Sequence, residues 1–186
     1  DVDETTGEVG ILDRKLGRSI AKGIALVGRE EDLEGGINQY RYTGRKYELM
    51  VDRVDLEESG EVQATVLVAG RLASSRVEIR YRMYGEIDRI DVGVSLSWTD
   101  EKPVRIQVEF PIGEGKVHYG VPFGHNTLDN VIDGSVPFRD GDMDRETWEK
   151  QRECQGWISV DGKDDGMVLA SDRRAFEFDK GLVRGD

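Results

Sequence analysis

The stretch SRVEIRYRMYGEIDRIDVGVSLSW, Ser75 to Trp98, decides the fold class. From Arg76 to Met83 polar and apolar residues alternate without a break. Val77, Ile79, Tyr81 and Met83 fall on one side, and Arg76, Glu78, Arg80 and Arg82 on the other. After the turn signal Tyr84-Gly85 the pattern resumes from Arg89 to Trp98. Ile90, Val92, Val94, Leu96 and Trp98 alternate with Arg89, Asp91, Gly93, Ser95 and Ser97. Successive side chains of a strand point to opposite faces, so each row predicts a strand with one face in a core and one in water. Two such rows joined by a short turn are a hairpin of an antiparallel sheet.

The same period recurs on both sides of this hairpin. Val104, Ile106, Val108 and Phe110 alternate with Arg105, Gln107 and Glu109, and Val62, Ala64, Val66 and Val68 form a further apolar row. EVGILDRKLGRSI reads as an N-terminal hairpin turning at Asp13 to Gly17. Turn signals sit at Glu58-Ser59-Gly60, at Thr99 to Pro103 and at Gly113-Glu114-Gly115. Shorter strands are predicted at Gly156–Val160, Met167–Ser171 and Ala175–Phe178, and a strand Val117–Phe123 that ends at Gly124. Only Asp144–Arg152 has helical character, and glycine at 23 positions argues against many helices. The fold class predicted is all-β, a large antiparallel β-sandwich forming one domain over residues 1–186. Gly124 to Glu146 is then an irregular segment of the length that often carries function.

Acidic residues number 38 against 26 basic, a formal net charge of -12. That balance argues against nucleic-acid and anionic-membrane partners, which offer no counter-charge. No apolar run approaches the about 18 residues of a spanning helix, and the N-terminus lacks a signal-peptide pattern. The chain starts at Asp1 rather than Met, which reads as a piece of a longer or processed protein. Cys154 is the single cysteine, so no disulfide framework or CxxC zinc site exists. It reads as a small buried hydrophobe, and the lack of disulfides points to a reducing, cytoplasmic setting.

No catalytic constellation stands out: GxSxG, HExxH, P-loop and GxGxxG are all missing. Asp140, Asp142 and Asp144 have the spacing of a calcium loop, but Arg145 stands where its glycine belongs and Gln151 where its glutamate belongs. A solvated acidic loop is the better reading. His118 and His125 lie seven apart around a strand end; with Asp129 or Asp133 they offer metal ligands, while His125 followed by Asn126 offers hydrogen bonds to a polar ligand such as a sugar hydroxyl. Of the large rings, Trp98 ends an alternating row and is expected in the core. Trp157 opens a short strand and suits either core or surface, and Trp148 sits among charges where a ring stacks on a ligand or partner. The terminal Arg184-Gly185-Asp186 reads as a truncation point.

Several segments follow a familiar order. TGEVGILDRKLGRSIA places Asp13, Arg14, Lys15, Gly17 and Arg18 in a D-K-x-T-G-R-type turn, with Leu16 where threonine is usual. RIDVGVSLSWTDEKPVRIQVEFPI carries Trp98, Asp100 and Phe110-Pro111. VHYGVPFG carries a Y-x-x-P-F-G pattern, and QGWISVDGKDDGMVLASD carries Gln155, Trp157, Gly166, Leu169 and Asp172. Together these resemble the C-terminal β-sandwich region of glycoside hydrolase family 38, the α-mannosidases. The pattern departs after Phe123-Gly124, where His125-Asn126 replace the family's usual Arg-Pro. The resemblance implies a galactose-mutarotase-like supersandwich within a retaining α-mannosidase whose nucleophile and catalytic zinc belong to an N-terminal barrel. It implies that this chain holds no catalytic residue and no cofactor of its own. It packs on that barrel, shapes a carbohydrate cleft and supports homo-oligomer formation. His118, His125, Asn126, Trp148 and Trp157 are the candidate carbohydrate contacts. Two other expectations stand beside it: a self-sufficient carbohydrate-binding module, and a stand-alone mutarotase-like enzyme using His118 with a carboxylate.

Overall fold

The computed structural model describes residues 1–32, 41–113, 115–127, 151–163, 166–172, 175–179 and 182–185. These form strands and no helix. In chain order they are β1 (Val9–Asp13), β2 (Arg18–Asp32), β3 (Arg41–Ser59), β4 (Gln63–Leu72), β5 (Ser75–Tyr84), β6 (Ile90–Ser97) and β7 (Val104–Pro111). There follow β8 (Lys116–Val121), β9 (Gly124–Thr127), β10 (Gln151–Glu153), β11 (Trp157–Asp161), β12 (Gly166–Ala170), β13 (Ala175–Asp179) and β14 (Leu182–Gly185). The large sheet runs β10-β13-β14-β7-β2-β3-β4-β5-β6, with β1 added on β2, and a four-stranded sheet runs β12-β11-β8-β9. Every pairing among these strands is antiparallel. The protein is an all-β sandwich, as the alternation predicts.

Local chemistry explains the first hairpin. The Asp13 carboxylate accepts the backbone N–H of Lys15 and of Leu16, and Gly17 takes the left-handed conformation that closes the turn. The long strands then do two jobs each. The first half of β3 pairs with β2, Glu48 opposite Val27, and its second half pairs with β4, Leu49 opposite Leu72. Register shifts lie between Val51 and Arg53 and between Leu56 and Glu58. Extra residues on one strand bend it and raise its twist, so the sheet curls. The curl brings Val9, Ala21, Ile24 and Leu26 of β1 and β2 onto Leu49, Val68, Leu72, Val77, Ile79 and Tyr81 of β3, β4 and β5.

A second core joins the two sheets. Val117 and Tyr119 of β8 and Ile158 and Val160 of β11 pack on Phe176 of β13 and Val183 of β14. Cys154 is buried there, and burial pushes its thiol pKa up, which suits a packing role. Phe110 and Ile112 touch both cores and make them continuous.

Several expectations are corrected. Val62 precedes β4 and is 80% exposed, so the apolar row begins later than its spacing implied. Trp98 lies beyond the end of β6, half-buried and in neither core. The strand Val117–Phe123 is shorter: β8 ends at Val121, and Gly124–Thr127, assigned to the long loop, is strand β9. Gln151 and Arg152, the end of the helical stretch, are in strand β10. The polar face of β7, expected in water, is buried: Gln107 is 1% exposed and Glu109 7%.

Leu72 has no exposed surface and packs in the first core beside Gly28, where an added Cβ would lie 3.5 Å from it. Leu72→Ala is expected to cost about 3–5 kcal/mol, the range for a leucine whose cavity cannot collapse. Chemical denaturation with an unchanged m-value checks this.

Candidate functional site

The two histidines meet because HYGVPFGHN is a hairpin. Val121 pairs with Gly124 across the two-residue turn Pro122-Phe123. Proline suits the first turn position, but Phe123 takes a φ of 66° and is fully exposed. A bulky residue in that region carries strain that a glycine would not. Beyond the turn, Gly120 stands opposite His125 and His118 opposite Thr127, so both imidazoles lie on one face. Their ring centroids are 5.3 Å apart.

Strand β11 completes the cluster. Ser159 stands opposite His118, which puts Trp157, Ser159 and Asp161 on the histidines' face, Ser159 itself being buried among its neighbours. The Trp157 ring lies 6.4 Å from that of His125. It sits over Gly120, where an added Cβ would be 2.7 Å from the indole Nε1 and 2.6 Å from the Gln155 carbonyl oxygen. His118 Nε2 is 3.4 Å from an Asp161 carboxylate oxygen. The other side of this sheet faces the second core, so the sheet is a thin plate with an apolar back and an aromatic, imidazole-bearing front. Such a front offers a flat surface for the apolar side of a sugar ring, flanked by hydrogen-bonding groups.

Of the five candidate contacts, His118, His125 and Trp157 come together. Asn126 is opposite Tyr119 on the pleat's other side, so it does not join His125 on one ligand. Trp148 lies outside the described residues, as do Asp129, Asp133, Asp140, Asp142 and Asp144. Among the described residues no group of three or more metal-ligating side chains is placed to hold a cation.

The polar face of the large sheet holds a cluster that the sequence did not single out. Glu109 of β7 accepts from Arg29 of β2 at 2.5 Å, Lys46 of β3 at 3.2 Å and Arg184 of β14 at 3.1 Å. Arg105 pairs with Glu31 at 2.7 Å on the same face, and the Arg29 guanidinium lies 5.8 Å from the Tyr42 ring centroid. Burial alone would raise the Glu109 pKa, but hydrogen bonds from Arg29 and Arg184 and the charge of Lys46 hold it below its ordinary value. The four residues are scattered over 156 positions of sequence, from Arg29 to Arg184, so only strand order reveals them.

No protein-family profile matches the chain, and no curated protein matches it.

Two outcomes are expected from this geometry. Gly120→Ala should displace Trp157, because backbone and ring both block the new methyl group; a changed tryptophan emission spectrum checks it. Glu109→Gln removes the charge shared by three cations and is expected to cost about 3–5 kcal/mol at neutral pH. The folded pKa lies below the ordinary 4.5, so this stability is present above that value and lost as pH falls through the lower folded one. The stability gap between the native chain and Glu109→Gln is therefore expected to narrow progressively as pH falls below 4.5, as read by denaturation at several pH values.

Proposed function

We propose that the chain is a noncatalytic β-sandwich domain of a family 38-type α-mannosidase. It packs on a catalytic barrel outside this chain and helps shape the carbohydrate cleft. The observation that carries the reading is the plate bearing His118, His125 and Trp157. Two segments of the resemblance support it by being neighbours in space. The Y-x-x-P-F-G segment forms β8 with the turn into β9, and the segment holding Gln155, Trp157, Gly166 and Leu169 forms the β11–β12 hairpin beside it. The all-β sandwich architecture is of the class the reading requires.

Under this reading the nucleophile and zinc belong to the barrel, and no residue of this chain breaks a bond. His118, whose Nε2 lies 3.4 Å from an Asp161 carboxylate oxygen, and His125 serve as hydrogen-bonding edges and Trp157 as a stacking surface. A cytoplasmic setting belongs to the same proposal and rests on the lone buried thiol of Cys154. Among the described residues no helix is long and apolar enough to cross a membrane.

The plate also favours a second reading, a self-sufficient carbohydrate-binding module. The isolated chain separates the two. Under the first, it releases no mannose from an aryl α-mannoside with or without zinc, and calorimetric titrations with mannosides and glucans are flat. Turnover by pure chain would sink both readings and favour a stand-alone enzyme using His118. Sugar binding that disappears in Trp157→Ala would move the assignment to the binding module.

A further inference from the structure

We propose that β6 is the edge through which two copies of this chain associate, antiparallel about Gly93. Such association depends on neither the sugar nor any barrel. β6 ends the large sheet and is hydrogen-bonded to β5 on one side; among the described residues no strand pairs with its other edge. Its ladder with β5 runs from Arg76 opposite Ser97 to Met83 opposite Ile90 with no register shift. An edge of this kind presents a straight row of backbone donors and acceptors, and proteins that stay monomeric block such edges with lysine, proline or a bulge. IDVGVSLS has none of these.

Its charge is also unusual for this chain. On a molecule of net charge -12, β6 carries one charged residue, Asp91. That carboxylate already accepts from Arg89 at 2.6 Å and from the Tyr84 hydroxyl at 2.6 Å. A second copy therefore meets a nearly neutral strand rather than the general acidic surface. The apolar row is left half-covered on this side: Val94 is 40% exposed, and Met83 of the neighbouring strand 41%.

The sequence of β6 is complementary to itself. A two-fold axis at Gly93 places Ile90 opposite Leu96 of the second copy and Val92 opposite Val94, with both reciprocal pairs on one face. On the other face Asp91 meets Ser95, and the two glycines meet on the axis. The position of a Cβ at Gly93 has open space around it. A slip of one residue would set the apolar side chains against Gly93 and polar residues, so the pattern selects this family of registers. The same patch serves both partners, as a closed two-fold dimer requires.

The test is sedimentation equilibrium of the 186-residue chain over a concentration series. A monomer–dimer equilibrium is expected. Ser95→Asp sets a like charge against Asp91 at two symmetric contacts and should weaken association by roughly tenfold, whereas Ser95→Lys should strengthen it by a similar factor. Within the chain Ser95 stands opposite Glu78, so this aspartate substitution also perturbs the monomer. The pair Asp91→Lys with Ser95→Asp separates the effects. It restores an opposite-charge contact across the axis while setting the introduced lysine opposite Arg82 within the chain. Restored association supports the proposal. A native chain that stays monomeric, or a double variant weaker than Ser95→Asp alone, overturns it.

Discussion

Glu109 is one carboxylate answering to three cations, each from a different strand. Arg184, Glu109, Arg29 and Lys46 belong to β14, β7, β2 and β3, which are neighbours in that order in the large sheet. The cluster therefore crosses the sheet perpendicular to its strands and pins four of them in one register. A slip by any strand moves its residue to the other face and leaves a buried charge without its partner, which costs several kcal/mol. The backbone ladder gives these strands their attraction, and this carboxylate gives them their alignment. Alignment matters here because β2 and β3 are long enough to pair with different neighbours along their length.

The sandwich was legible where one face is wet and the other dry. The sequence rows in β5 and β6 obey a strict period of two, the hairpin of β1 and β2 shows itself by its Asp13 to Gly17 turn, and the structure has these strands at the expected places. β3 escaped because RYTGRKYELMVDRVDLEES is bulged, and each extra residue inverts the in–out order of the residues after it. The polar row of β7 was legible as a row but not as a buried one. Sequence alone cannot tell a solvated glutamate from one held by three cations that arrive from remote strands.

The candidate site shows the same division. Proximity of His118 and His125 depends on a two-residue turn at Pro122-Phe123, and Phe123 is a poor advertisement for one. With a glycine or asparagine there, the hairpin would have been plain from the sequence. The presence of Trp157 beside the histidines depends on β11 pairing with β8, a contact between segments some forty positions apart. Gly120 makes that contact close, since its missing side chain is the space the indole occupies. Asn126 illustrates the converse: adjacency in sequence separates two strand residues, because the pleat sends them to opposite faces.

The position of β14 has a consequence for how the chain reaches this shape. Leu182–Gly185 lies inside the large sheet, between β7 and β13, with Val183 wholly enclosed. During synthesis, β1 to β6 emerge early and pair mostly with near neighbours, so that half has what it needs to form first. The other half stays open along one side of β7 until residues more than seventy positions later leave the ribosome. Until then Glu109 lacks Arg184, and the second core lacks Val183. Closure of the sandwich is thus a late, long-range event, and the waiting edge of β7 is the place where a nascent chain is most open to wrong partners.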